Sequence, residues 1–219
     1  LKRKTPIMNF DLKTLDLAAA ASEKCDLLVV LLPEGFKPGK DALSALAALA
    51  LKNGDLATKA GKHLQLYQVP AVAARRVVLV GQGDGSARAT RQALQAVGGA
   101  VKAPQTKRVV LCFAGTVQAA SVSAAVQAVA EVSYVYTTTK SKATGRHLQQ
   151  LVVGVASGAH SQAEFTQAQQ QAAFGELQPV DGAIHLRAPE RRQAGGQAAA
   201  DAVFVRVASG HQPVAQAVG

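Results

Sequence analysis

Apolar positions along this chain follow two periods in turn. Ile7-Met8-Asn9-Phe10-Asp11-Leu12 alternates apolar and polar side chains, the pattern of a half-buried strand. An Ala-rich helical stretch follows from Leu17. Asp26 to Pro33 encloses the unbroken run Leu27-Leu28-Val29-Val30-Leu31-Leu32, which suits a strand covered on both faces. Lys40 to Leu51 sets Leu43, Leu46, Leu49 and Ala50 at helical spacing, and Asn53-Gly54-Asp55 ends that helix. His63 to Val69 alternates again and stops at Pro70. Arg75 to Val80 and Lys107 to Phe113 predict two more buried strands. The first runs into the glycine loop Gly81 to Ser86 and a helix from about Ala87 to Val97; an Ala/Val helix through about Val132 follows the second. Gln150 to Val155 predicts a further strand. Short connections and the order βαβ…βαβαβ predict an α/β fold, its mostly parallel sheet covered on both sides.

The last third divides. Ser161 to Phe174 is rich in Gln and Ala and predicts a helix, with Ser161 as N-cap and Glu164 at the N3 position of a capping box. Beyond Glu176 neither period persists. Pro179, Gly182, Pro189, Gly195-Gly196 and Pro213 interrupt short apolar pieces, and Arg191 to Gln197 reads as low-complexity coil. The chain therefore divides into an α/β domain over 8–156, a linker helix over 157–176 and an irregular tail over 177–219. No internal repeat is present.

Composition adds exclusions. Hydrophobic residues make up 48% of 219, with 4% aromatics and no Trp, so Ala, Val and Leu build the core. No apolar run reaches the roughly 18 residues of a membrane span, and Leu1-Lys2-Arg3-Lys4 leads into no apolar segment of a secretory signal. Met8 reads as the natural start, with residues 1–7 an upstream remnant; a cytoplasmic protein with no membrane partner is expected. Cys25 and Cys112 stand far apart in or beside strands, outside any CxxC or Cys/His cluster, and read as small buried apolar side chains. The net charge of +10 is uneven: +11 through Ala156 and −1 beyond it. Such a domain can attract nucleic acid without sequence preference. Its basic residues, however, come as singles and pairs (Arg75-Arg76, Lys107-Arg108) with no aromatic interleaving, as on a solvated surface.

Chemistry is hard to find. The loop 81–86 follows a strand and opens a helix, where dinucleotide folds cradle phosphates, but it reads G-x-G-x-G rather than G-x-G-x-x-G and carries Asp84 inside. No acidic residue ends a strand about 20 residues on, so a tight strand-to-helix turn is the expectation. No Ser lies in a nucleophile context. His63, His147, His160, His185 and His211 are isolated, with no carboxylate or Cys at metal-ligand spacing. Carboxylates of the folded part sit at loop edges and helix starts, where solvation and caps explain them. No catalytic, cofactor-binding or metal-ligating residue is assigned, and no hydrolase site is visible.

Several stretches together resemble the N-terminal domain of the leucyl (cytosol) aminopeptidase family. Met8-Asn9-Phe10 followed by Cys25-Asp26-Leu27-Leu28-Val29-Val30 is similar to the opening of many bacterial members. Arg76-Val77-Val78-Leu79-Val80-Gly81-Gln82-Gly83 resembles the family's "VGLG" strand end, and Ala89 to Ala100 its "R-x-A-x-G-x-A" segment. Tyr134-Val135-Tyr136-Thr137-Thr138-Thr139-Lys140-Ser141-Lys142 resembles "Y-x-F-x-x-Y-K-S-K". The likeness runs from about Met8 to Phe174.

The resemblance implies a macro-domain-like mixed sheet between helices, joined by a long helix to a peptidase domain. That second domain would hold two divalent metals (zinc, manganese or magnesium) that polarise the peptide carbonyl and activate water. It also implies a hexamer that removes N-terminal residues, Leu favoured, with peptide substrates met only through the peptidase domain; some members double as DNA-binding proteins. The family's "GKGxTFDTGG" and "NTDAEGR" motifs occur nowhere here, so no catalytic or metal residue carries over and this chain is expected to be inactive alone, without a cofactor of its own. After Phe174-Gly175-Glu176 the likeness stops at Leu177-Gln178-Pro179, which suggests a reading frame that slips near residue 176. Helix 161–174, lacking the domain it would bridge to, is expected to fray. The alternatives are a stand-alone binding module for nucleotide, ADP-ribose or DNA, and a complete small enzyme, which lacks a visible catalytic constellation.

Overall fold

A computed structural model describes residues 8–134, 147–156 and 162–174, all within one compact unit, Leu1–Ile184. Among them six strands and six helices follow in the order β1 (Asn9–Thr14), α1 (Leu17–Ser22), β2 (Leu27–Pro33), α2 (Ala42–Asn53), β3 (His63–Tyr67), β4 (Arg76–Gly83), α3 (Ala87–Ala96), α4 (Gly98–Lys102), β5 (Arg108–Phe113), α5 (Ala119–Ser133), β6 (Gln150–Val155) and α6 (Gln162–Phe174). One sheet takes the order β1-β6-β5-β2-β4-β3. All its pairs are parallel except β3 with β4. Only residues 68–75 connect those two strands, too few for the dozen or more that a parallel crossover needs.

Each central strand serves two cores by strict alternation. Leu27, Val29 and Leu31 of β2 join Val78 and Val80 of β4 and Val109, Leu111 and Phe113 of β5 under α3, α4, α5 and α6. Leu28, Val30 and Leu32 join Val77, Leu79, Val110 and Cys112 under α1 and α2. Three helix starts carry side-chain caps: Asp16 Oδ1 accepts from Ala19 N at 2.7 Å, Asp41 Oδ1 from Ser44 N at 2.8 Å, and Ser86 Oγ from Ala89 N at 3.2 Å. Gly54, with φ +80°, closes α2 in the left-handed conformation that glycine adopts freely.

Three departures from the sequence reading have physical causes. First, β4 does not stop at Val80 but runs through Gly83, because Gly81 N–H donates to Lys62 O (2.7 Å) and Gly83 N–H to Thr58 O (2.8 Å), extending the pairing. Second, Gly98–Lys102 forms the short helix α4, which Gly98-Gly99 conceal in the sequence; Val101 buries it against α5. Third, α6, read as lacking the domain it would bridge to, packs on this one: Phe165 and Ala168 are buried in the core beside α5, and Gln127 Nε2 donates to Gln171 Oε1. The N-cap expected at Ser161, the Val135–Lys142 part of the Tyr134–Lys142 motif and the tail over 177–219 lie outside the described residues.

Both cysteines are free and buried. Burial pushes the Cys25 and Cys112 thiols up to about 12, against an ordinary value near 9. An aromatic-thiol disulfide reagent at pH 8 should therefore find no reactive thiol in the native chain and both after unfolding. An unfolded chain releases these protons first, so their contribution to stability is present below pH about 9 and is lost as pH climbs toward 12. Replacing Cys112 by Ala should flatten that alkaline loss in a urea titration.

Space around two glycines sets opposite expectations for one substitution. A Cβ on Gly81 would lie 2.5 Å from Ala57 O and 2.6 Å from Thr58 C, and would also strike Lys59 O, all of them backbone. Gly81→Ala should destabilise by about 3 kcal/mol in chemical denaturation. Gly99 in α4 has open space around the same position, so Gly99→Ala should stabilise by up to about 1 kcal/mol. Phe165→Ala should cost about 3 kcal/mol if α6 is part of the cooperative unit; a loss under about 0.5 kcal/mol would mean that the helix frays.

Candidate functional site

Open α/β sheets bind ligands beyond the carboxyl ends of their strands, where strand order reverses. Here that point lies between β2 and β5, and the chain fills it. Ala114 N–H donates to Leu31 O at 2.9 Å, and a Cβ on Gly115 would stand 3.1 Å from Pro33 Cγ. The neighbouring glycine loop is equally occupied. With β4 running through Gly83, the turn shrinks to Asp84-Gly85-Ser86, and Gly85 takes φ +76°. Glu34 N–H donates to Gly83 O (2.7 Å), Ser86 N–H to Asp84 Oδ1 (3.0 Å) and Ser121 Oγ to Gly85 O (2.6 Å). The amides of Gly83, Ser86 and Ala89 all serve acceptors within the protein, so they do not converge on a phosphate. Hydrogen bonds from Ser86 hold the Asp84 carboxyl below the usual range, which leaves a negative charge where an anion would sit. Gln82 turns inward, its Nε2 donating to Thr90 Oγ1 at 2.9 Å. This is a tight strand-to-helix turn.

Candidate nucleophiles and metal donors stay apart. Cys25 and Cys112 are sealed in the core under α1 and α2. His63 is exposed on β3, its Nδ1 3.3 Å from Gly61 O, and His147 is half-buried before β6. His160, His185 and His211 lie outside the described residues. Glu23 is held by Lys13 Nζ at 2.9 Å and Arg108 at 3.0 Å; those cations, Lys13 foremost, keep its carboxyl below the ordinary range. Among the described residues no three His, Cys, Asp or Glu side chains gather where an ion could be held. The two divalent metals implied by the aminopeptidase resemblance need such a converging set, and the described residues do not fit it.

A cleft opens at the opposite, amino-terminal edge of the sheet. It measures about 480 Å³ and is lined by Asp26, Tyr67, Gln68, Arg75, Arg76 and Gln105. The residues before β2, β4 and β5 and the end of β3 bring these groups together. Arg76 is only 6% exposed and donates to Thr106 Oγ1, which in turn donates to Ala100 O at 2.9 Å. Asp26 Oδ2 accepts from the N–H groups of Lys107 (2.9 Å) and Arg108 (3.0 Å). Sequence reasoning saw Arg75-Arg76 only as a surface pair. Position alone does not give it, since Arg108 opens the equally buried β5 and stays half-exposed.

Residues 18–143 match the cytosol aminopeptidase family, N-terminal domain. A probable cytosol aminopeptidase of Verminephrobacter eiseniae is 72% identical over 158 residues, which cover 72% of this chain and 30% of that protein. A protein of the same description from an Acidovorax species is 55% identical over 161 residues, covering 74% and 32%. Among solved structures, a tomato leucine aminopeptidase mutant superposes with a TM-score of 0.62 at 20% identity, covering 81% of this chain and 38% of that one, a likeness of fold. The chain spans about a third of the length of the curated relatives it matches. The α/β sheet covered by helices on both faces, the run of matched residues over more than half the chain and the identity to these relatives lead to one assignment: the chain belongs to the cytosol aminopeptidase family and matches its N-terminal domain.

Proposed function

We propose that this chain serves as the non-catalytic N-terminal domain of a metal-dependent aminopeptidase, with the domain itself over 8–156 and a helix over 157–176 leading away from it. The match of residues 18–143 to that domain carries the reading. In the full-length enzyme the domain contributes to assembly and to access, while a second domain holds two divalent metals, zinc or manganese, and removes N-terminal residues from peptides. A hexamer in the cytoplasm belongs to the same reading. The location is supported by relatives named as cytosol aminopeptidases. Residues 177–219 stand outside it, as the product of a reading frame that slips near codon 176. The family match ends at residue 143 and the relatives cover 72% to 74% of this chain, so residues 177–219 carry no support from them.

Two measurements test the proposal. With manganese and leucine p-nitroanilide, the chain alone should give no turnover, and metal-dependent hydrolysis by it would overturn the reading. The encoding DNA, read in three frames through and beyond codon 176, should restore "NTDAEGR" in another frame, and the protein made from the joined frames should hydrolyse the same substrate. Frames empty of the motif would remove the slipped-frame part of the proposal.

A further inference from the structure

Arg76 poses a question that its own contacts leave open. A guanidinium carries five N–H donors and keeps its charge at every physiological pH. Holding one 94% out of water is costly unless an anion or several acceptors meet it. The protein acceptor found for Arg76 is the Thr106 hydroxyl, and no carboxylate of the described residues forms an ion pair with it. Its other nitrogens are not sealed: among the described residues the buried side-chain atom lacking a partner is Arg108 Nε. Arg76 lines the cleft described above.

The rest of the cleft fits an incoming group. Arg75 adds a second, exposed cation, and Gln68 and Gln105 add amide donors at its rim. The Asp26 carboxylate on the wall already takes two backbone N–H groups on one oxygen, and makes no ion pair with either arginine. Gln68, on the cleft wall, takes a left-handed φ of +49°.

We propose that the cleft between the amino-terminal ends of β2, β4 and β5 is a binding site for a small oxyanion, a carboxylate or phosphate group, held by the Arg76 guanidinium with Arg75 supplying a second positive charge. This site is independent of the aminopeptidase reading and lies at the end of the sheet opposite to the glycine turn.

Calorimetric titration of the full chain with succinate and, separately, with inorganic phosphate at low chloride tests the proposal. Saturable binding of at least one of them is expected, and the ratio of the two affinities assigns the occupant. Gln105→Glu, an exposed change that adds to the cleft a carboxylate without the two backbone N–H groups that occupy Asp26 Oδ2, should weaken binding severalfold, and Arg75→Gln about threefold. Arg76→Met should abolish binding; should that variant fail to fold, the two surface variants carry the test. A linear, unsaturable titration of the unmodified chain, or equal affinity in Gln105→Glu, would overturn it.

Discussion

Burial of the central strands on both faces governs everything else in this molecule. Leu27 through Leu32 of β2 are at most 1% exposed, as are Val77 through Val80 of β4. A strand in that position can carry no polar side chain without a partner close by, and each backbone N–H and C=O must find its mate in the ladder. Helices on both sides complete the burial, and two separate cores result, one on each face. Polar chemistry is left only the two ends of the sheet.

Those ends differ in how they are finished. At the carboxyl ends the chain closes on itself, with Gly115 against Pro33 and the Gly83 and Gly85 carbonyls taken up by Glu34 and Ser121. At the amino ends charged groups stitch neighbouring strands. Asp26, just before β2, receives two amides from the start of β5, and Arg108 returns the tie to Lys24 O (2.9 Å) and Glu23 (3.0 Å). Buried polar groups elsewhere follow the same economy: Gln82 meets Thr90, and Arg76 meets Thr106. Arg76 differs because a hydroxyl does not neutralise a cation, and this sets the amino-terminal cleft apart from a merely structural polar pocket.

Much of this was legible in the residues, and the failures share a cause. The runs Leu27–Leu32 and Val109–Phe113 declared buried strands because unbroken apolar character has few other uses at that length. Asn53-Gly54-Asp55 marked the end of α2, which Gly54 closes. Local signals failed where a distant segment decided the outcome. Gly81 and Gly83 look like a loop until residues 57–62 come to lie against them and extend the pairing. Gly98-Gly99 look like a break until Val101 and Gly98 pack on α5, where a Cβ on Gly98 would stand 3.2 Å from Val132. The candidate anion cleft was invisible for the same reason: Asp26, Tyr67, Arg76 and Gln105 converge from four segments, and no spacing along the chain records it.

Strand order also fixes a timetable. The first strand made, β1, pairs only with β6, about 140 residues later, and β2 must wait about 50 residues for β4. At a synthesis rate of roughly 5–20 residues per second, the most apolar segment of the chain stays without its ladder for several seconds, and β1 for considerably longer. A sheet assembled from its centre outward, with its earliest strand added last, makes the ribosome's pace and the chaperones that meet the emerging chain partners in its folding.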